Sequence, residues 1–288
     1  MTSKNMYELR MGVWEQVHRD TAPGGRLAAA PKPTCTIYQV RKGKDWCMDQ
    51  TETELSMDVT LFKTRRFPHT DVGVMRADTL TAAASLVEQG QMPLVLNMSD
   101  DCFAGGNVDT GSGAQEENLY RRTNLCLVRA VNQHAYPLTP CKLVLNKNVT
   151  VYRADEAHDY RCLRQPYKVD IVSLPGIRNP KIDDGALSKP DTALLAARLR
   201  LLFRTAAREG YSVLVLGPIG CGVWHNPPES VARVFKALLC EFSGVFRGVF
   251  FPILAEGAEG AEGPEETGAK GSNLQVFTNV LVNDTPRR

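Results

Sequence analysis

The stretch MPLVLNMSDDCFAGGNVDTGSGAQEENLYRRTNL, Met92 to Leu125, decides the fold. Its first seven residues, Met92–Met98, are an almost unbroken apolar run. Such a run reads as a strand buried on both faces, not as one with an alternating, half-solvated pattern. A glycine-rich loop follows, and a helix is predicted from about Ala114 to Val131. The loop ends on two adjacent carboxylates, Glu116 and Glu117, where that helix opens. Glycine lets a ligand approach the backbone closely. A helix start receives anions. A carboxylate pair at the same place points to acid–base work on whatever binds.

The same alternation extends outward. DVGVMRA is a short strand, and DTLTAAASLVEQG a helix capped by Asp78 or Thr79 and stopped by Gly90. LVLNKNVTVYR reads as a hairpin or two short strands, and YKVDIVSLPG as another strand. DTALLAARLRLLFRTAAREG is a helix capped by Asp191 and stopped by Gly210. YSVLVLGPIGCG is a buried strand running into a second glycine-rich loop. The helix PPESVARVFKALLCEF and the strand VFRGVFFPIL follow, and NLQVFTNVL is apolar enough to dock back. Strands alternating with helices predict an α/β protein with helices on both faces of the sheet.

Ahead of this core, Met6, Leu9, Val13 and Val17 recur at helical spacing until TAPGGRLAAAPKP breaks the pattern. Residues 1–70 are expected as a partly helical N-terminal extension, and 71–288 as the main domain. RKGKDW reads as a solvated turn. The Ala-Glu-Gly repeat at about 255–271 cannot supply a core and reads as a low-complexity insertion.

With 34 basic against 32 acidic residues, the net charge of +2 gives no case for nucleic-acid binding. No run is long and apolar enough for a membrane helix, and the first residues lack the apolar core of a secretory signal. The eight cysteines form no C-x-x-C and no zinc spacing. Reduced thiols in an intracellular protein are expected, with no metal and no cofactor.

The second loop, GPIGCGVWHNPP, follows SVLVL as the first follows PLVLN. Ligands of α/β sheets bind beyond the carboxyl ends of the strands, so two such loops on adjacent strands would clamp one diphosphate. Neither is a P-loop, because GK[ST] is absent, and neither has dinucleotide G-x-G-x-x-G spacing. Plainer readings stand beside these. A glycine loop can be a tight turn, and acidic residues are common at helix starts. Cys102 and Cys221 read as ordinary thiols, His225 as a surface group, and Trp224 as core or a ligand wall. Arg121–Asn124 reads as a solvated helix face, and Tyr120 as core.

GGNVDTGSGAQEE resembles the signature of poly(ADP-ribose) glycohydrolases, most closely the compact microbial-type branch, a macrodomain with a short N-terminal extension. ADTLTAAASLVEQGQMPLVLN, VTVYRADEAHDY, VDIVSLPGIRN and VLGPIGCGVWHNPPESVARVF fall in that branch's order, so the resemblance spans roughly residues 70 to 282. It implies a three-layer α/β/α macrodomain-like fold with a mixed central sheet. It implies that Glu117 is the catalytic acid and that Glu116 holds ribose hydroxyls. Gly105, Gly106 and Asn107 would line the diphosphate and proximal ribose, followed by Gln115 of the signature. Gly220, Cys221, Gly222 and Val223 would form the second diphosphate loop, with Trp224 packed on the ligand. Asp78 would accept from the adenine amino group, and Asp100 would lie near the scissile ribose. Three positions depart from the pattern: Asn107 replaces its third glycine, Ala104 its proline and Asp100 its second asparagine. Asn107 is expected in the left-handed conformation, which Asn tolerates better than most residues.

The implied reaction is hydrolysis of ribose–ribose O-glycosidic bonds. One glutamic acid protonates the leaving oxygen and then, ionised, activates water. Desolvation, Glu116 and a substrate diphosphate are expected to favour the protonated form of Glu117 over the opposing pull of the helix dipole. The expected partner is poly(ADP-ribose) or ADP-ribosylated protein as substrate. Two alternatives stay open: a reader that binds ADP-ribose without cleaving it, and a hydrolase of single ADP-ribose units.

Overall fold

The computed structural model describes residues 3–39, 52–53, 64–254 and 272–283. The expected insertion at 255–271 and the RKGKDW turn lie outside the described residues. In chain order the elements are α1 (Ser3–Thr21), β1 (Thr34–Gln39), β2 (Glu52–Thr53), β3 (Asp71–Met75), α2 (Thr79–Glu88), β4 (Pro93–Met98), α3 (Gln115–Arg122), α4 (Arg129–Gln133), β5 (Lys142–Arg153), β6 (Cys162–Leu174), β7 (Ile182–Asp183), β8 (Ala186–Leu187), α5 (Lys189–Arg208), β9 (Val213–Val215), α6 (Pro228–Glu241), β10 (Gly248–Pro252) and α7 (Asn273–Thr278). A π-helical turn, Asn279–Asn283, extends α7.

Eight strands form one mixed sheet in the order β2-β1-β5-β6-β4-β9-β10-β3. From β6 to β3 neighbouring strands are parallel, whereas β5 is antiparallel to both β6 and β1. The central strands send alternate side chains to opposite faces. Leu94, Leu96, Val172, Leu174 and Leu214 join Leu199 of α5, Phe235 of α6 and Phe277 of α7. Val95, Ile171, Val213 and Val215 join Trp14 of α1, Leu80 of α2 and Leu119 of α3. The result is the expected three-layer α/β/α, macrodomain-like arrangement.

Four local expectations are corrected. LVLNKNVTVYR is one long strand, because the apparent turn at Asn146–Asn148 is a bulge: the register slips between Asn146 and Val149. Asn148 takes φ 60° there, and its N–H donates to Asp170 Oδ1 at 2.7 Å. The helix predicted over Ala114–Val131 breaks after Arg122, where Thr123 is extended and bridges to Val151. The next helical turns, Leu125–Val128 and α4, are separate. Arg121, Arg122 and Asn124, read as solvated, are all buried. Asn124 accepts from Thr150 N and donates to Pro31 O, which ties the break to β5. Finally, α5 is capped by Ser188, whose hydroxyl accepts from Asp191 N. Asp78 does cap α2, and Gly90 (φ 74°) ends it.

The stretch expected as an extension contributes β1 to the central sheet, antiparallel to β5, and α1 to the face that carries α3. On α1 the inward stripe includes a charge, Arg10, between Met6 and Trp14.

Candidate active site

Because β6, β4 and β9 are adjacent and parallel, their carboxyl ends gather at one edge of the sheet. The first glycine loop leaves β4, the second leaves β9, and a third segment, 175–180, leaves β6.

Gln115, Glu116 and Glu117 stitch the first loop to β4. Gln115 Oε1 accepts from Met98 N at 3.0 Å, and its Nε2 donates to Leu96 O at 2.8 Å. These two bonds clip its amide to the edge of β4, so it positions the helix start. Glu116 is 3% exposed, and both its oxygens are occupied. Oε1 accepts from Asn97 Nδ2 and Gly105 N, each at 3.0 Å, and Oε2 from Asp100 N at 2.6 Å. Glu117 is also buried, and its Oε1 accepts from Asn107 N at 2.9 Å. Its Oε2 is buried without a hydrogen-bond partner among the described residues. Buried polar atoms without partners are uncommon in folded proteins. Another lies beside the pair: Oδ1 of Asn97, the side chain that donates to Glu116.

Burial pushes Glu116 up to about 8 and the Glu117 charge adds to the push, against the opposing pull of the Asp100, Asn97 and Gly105 donors. Of the two carboxyls, Glu116 is the one that burial biases toward its protonated form.

The glycines that lie on these carboxylates have physical reasons. Gly105 and Gly106 take φ 80° and 52°. A Cβ on Gly106 would lie 2.4 Å from Glu117 Oε1, and one on Gly105 3.0 Å from the Tyr120 ring. Asn107, expected in the left-handed conformation, instead has φ −97°. The two preceding glycines make the turn, so Asn107 needs no unusual backbone.

α1 braces this loop from behind. Trp14 Nε1 donates to Asp109 Oδ1 at 2.8 Å, and Arg129 pairs with the same carboxylate at 2.7 Å. Arg10 pairs with Glu156 at 2.7 Å and fills the space where a Cβ on Gly113 would sit. Arg121, fully buried, donates to Ser112 O at 2.6 Å.

The second loop turns at Gly220 (φ 74°). Asn226 reaches back from its end and is 1% exposed. It donates to Ile177 O at 2.7 Å and accepts from Ile177 N at 3.1 Å, which pins the loop to the segment after β6. Gly220 and Gly176 pack so closely that a Cβ on Gly176 would lie 2.7 Å from Gly220 Cα. Gly222 and Val223 are exposed, and Trp224 and Cys221 are half-buried. Burial pushes the Cys221 thiol up, against a nucleophilic role. His225 is exposed, and the described cysteines are all free thiols.

Two of the residues singled out from the sequence are engaged within the protein itself. Asp78 Oδ1 accepts from Arg122 Nη1 at 2.6 Å and from Thr81 N at 2.9 Å, so that oxygen serves the cap and a buried ion pair. Asp100 Oδ1 accepts from Cys102 N at 2.7 Å and Phe103 N at 3.0 Å, and Oδ2 from Arg178 Nη2 at 2.5 Å. Arg178 Nε also donates to Asp101 Oδ1 at 2.7 Å. Burial would raise Asp101, but the hydrogen bonds from Arg178 and Cys102 and the Arg178 charge together outweigh it and hold the carboxyl below its usual range. Asp100, Asp101 and Cys102 bring metal-ligand atom types together, yet both carboxylates already serve this guanidinium. Asn97, Arg178 and Asn226 were not legible beforehand. Arg10 had one signal, a charge inside an apolar helical stripe.

The architecture defines the class, a macrodomain-like α/β/α fold. The family described as microbial-type PARG, catalytic domain, matches residues 36–154. No curated protein sequence matches the chain. The poly(ADP-ribose) glycohydrolase of Thermomonospora curvata superposes with a TM-score of 0.69 at 23% identity, over 96% of this chain and 99% of that one. A structure from the same organism with the inhibitor ADP-HPD gives 0.68 at 24% identity, over 96% and 99%. A point mutant of the Deinococcus radiodurans glycohydrolase with ADP-ribose gives 0.68 at 25% identity, over 91% and 98%. The chain is similar to the microbial-type PARG catalytic domain over residues 36–154 and shares the fold of these bacterial glycohydrolases.

Proposed function

We propose that the protein hydrolyses the ribose–ribose O-glycosidic bonds of poly(ADP-ribose), with Glu117 as general acid and then general base. The observation that carries this reading is the division of labour in the carboxylate pair. Glu116 has every oxygen bonded and ties the loop to β4, whereas Glu117 keeps one oxygen, Oε2, without a partner among the described residues. A group that must give up and retrieve a proton needs such an oxygen. As charge builds on the ribose carbon, Glu117 protonates the leaving oxygen, and the resulting carboxylate activates water.

The rest of the site supports ADP-ribose as the bound unit. The backbone of Gly105–Asn107 and of Gly220–Val223 would receive the diphosphate between two adjacent parallel strands. Trp224 would pack on the ligand, and Asp78 would meet the adenine amino group through Oδ2, the oxygen that the cap does not use. Asp100 would act through the loop it anchors, since both its oxygens are engaged. That engagement is also what favours the second reading, a binder without turnover.

Labelled poly(ADP-ribose) and mono-ADP-ribosylated protein, each incubated with the protein, decide between the readings. Free ADP-ribose from the polymer is expected. Glu117→Gln should lower turnover by about 10²–10⁴-fold while ADP-ribose affinity changes little. Near-normal chain hydrolysis by Glu117→Gln would remove Glu117 from the chemistry. Tight ADP-ribose binding with no hydrolysis would leave the binder, and release from the mono-modified protein alone the single-unit hydrolase.

A further inference from the structure

Arg178 lies on the segment after β6, and its guanidinium touches both neighbouring loops. Nη2 and Nε reach Asp100 and Asp101 at the root of the first glycine loop, at 2.5 Å and 2.7 Å. The same group stacks on Trp224 of the second loop, with Cζ 4.6 Å from the ring centroid. The pairing has a direct effect on the first loop, because Asp100 spends its other oxygen on Cys102 N and Phe103 N, the turn that launches Ala104–Asn107. One planar cation therefore fixes the start of one loop and the orientation of the aromatic wall on the other. A lysine could pair with the carboxylates but could neither fork between two of them nor stack as a plane.

We infer that Arg178 is a positioning residue that sets the spacing of the two glycine loops, and through Trp224 the affinity for the ADP-ribose unit. The inference rests on the reading above for its ligand, but the latch itself belongs to the free protein. It also accounts for the acid at position 100, where the resemblance leads one to expect an asparagine: Asp100 supplies charge for Arg178 while keeping the oxygen that caps the loop turn.

Two measurements test it on the full chain. First, the protein is labelled with 5-fluorotryptophan, and the Trp224 ¹⁹F resonance is assigned from its loss in Trp224→Phe. Arg178→Ala should shift that resonance in the ligand-free protein. Second, ADP-ribose binding is measured by calorimetry in Arg178→Ala, Trp224→Ala and the double variant. Each single change should weaken binding by about fivefold or more. The double variant should be no weaker than about twofold beyond the worse single variant, the non-additivity expected of one unit. Arg178→Lys should recover less than half of the loss. In chain hydrolysis KM should rise while kcat stays within about threefold, as for lost ground-state positioning. An unmoved Trp224 resonance, or losses that simply add, would overturn the latch. A moved resonance in a protein that binds no ADP-ribose would keep the latch and overturn the ligand assignment.

Discussion

Glu116 gives the clearest test at the scale of single residues. Its folded-state pKa, about 8, lies above the ordinary carboxylate value of 4.5. The folded protein therefore binds a proton that the unfolded chain releases. This contribution is complete below about pH 4.5 and is lost as the pH rises through 8. Stability should fall across that window by at most about 1.4 kcal/mol per pH unit from this group. Denaturant titrations at pH 5 and pH 8 should show a smaller fall for Glu116→Gln than for the unmodified protein. The glycines separate in the same way. Gly106→Ala combines φ 52° with a Cβ 2.4 Å from Glu117 Oε1. It should cost about 1–2 kcal/mol in unfolding free energy and displace the acid as well. Gly222 has open space around its missing Cβ and no positive φ, whereas Gly220 presses on Asn226. Gly222→Val is therefore the cleaner probe of the second loop. It should keep the melting temperature and weaken ADP-ribose binding; unchanged affinity would place the ligand elsewhere.

Among the elements, α1 matters most beyond what its position suggests. It lies ahead of the sheet, yet Trp14 and Arg10 hold the far side of the first glycine loop through Asp109, Glu156 and the Gly111–Gly113 backbone. Removing Arg10 leaves Glu156 buried at 7% exposure beside Tyr160, whose hydroxyl donates to it at 3.0 Å. Loss of one partner from such a pair costs about 3–5 kcal/mol, far more than the pair itself contributes. Arg10→Met should show that loss in chemical denaturation, and Arg10→Met with Glu156→Gln should recover part of it. If the single variant is as stable as the parent, α1 is an accessory and not a brace.

For the whole molecule, ligand linkage is the direct test of the binding assignment. ADP-ribose at a hundredfold excess over its Kd should stabilise the fold by about 2.7 kcal/mol, read as a rise in melting temperature. The layered fold was legible because Met92–Met98 and Tyr211–Leu216 are apolar almost throughout, and only a central strand between two helix layers asks for that. The carboxylate pair was legible because glycines precede it at a helix start. β5 was misread because a bulge at Asn148 uses the same residue type as a hairpin turn. Arg121 and Arg122 were misread because charge at a helix end ordinarily means solvent, whereas here the backbone around Ser112 and the Asp78 carboxylate receive them. Arg178 and Asn226 could not be found by local pattern at all. Their partners come from other loops, and only strand order brings those loops together.

The brace formed by α1 also bears on synthesis at the ribosome. Trp14 is separated from Asp109 by 95 residues, Asp20 from Arg153 by 133 and Arg10 from Glu156 by 146. Helix α1 therefore waits for the last of these partners while 146 further residues are made. At about 5–20 residues per second that interval is roughly 7–30 s. During it the apolar stripe of Met6, Val13, Trp14 and Val17 has no complete native surface to cover. The nascent chain is most exposed to aggregation and chaperone capture in that window, and the site is completed only after β5 and the turn that carries Glu156 have been made.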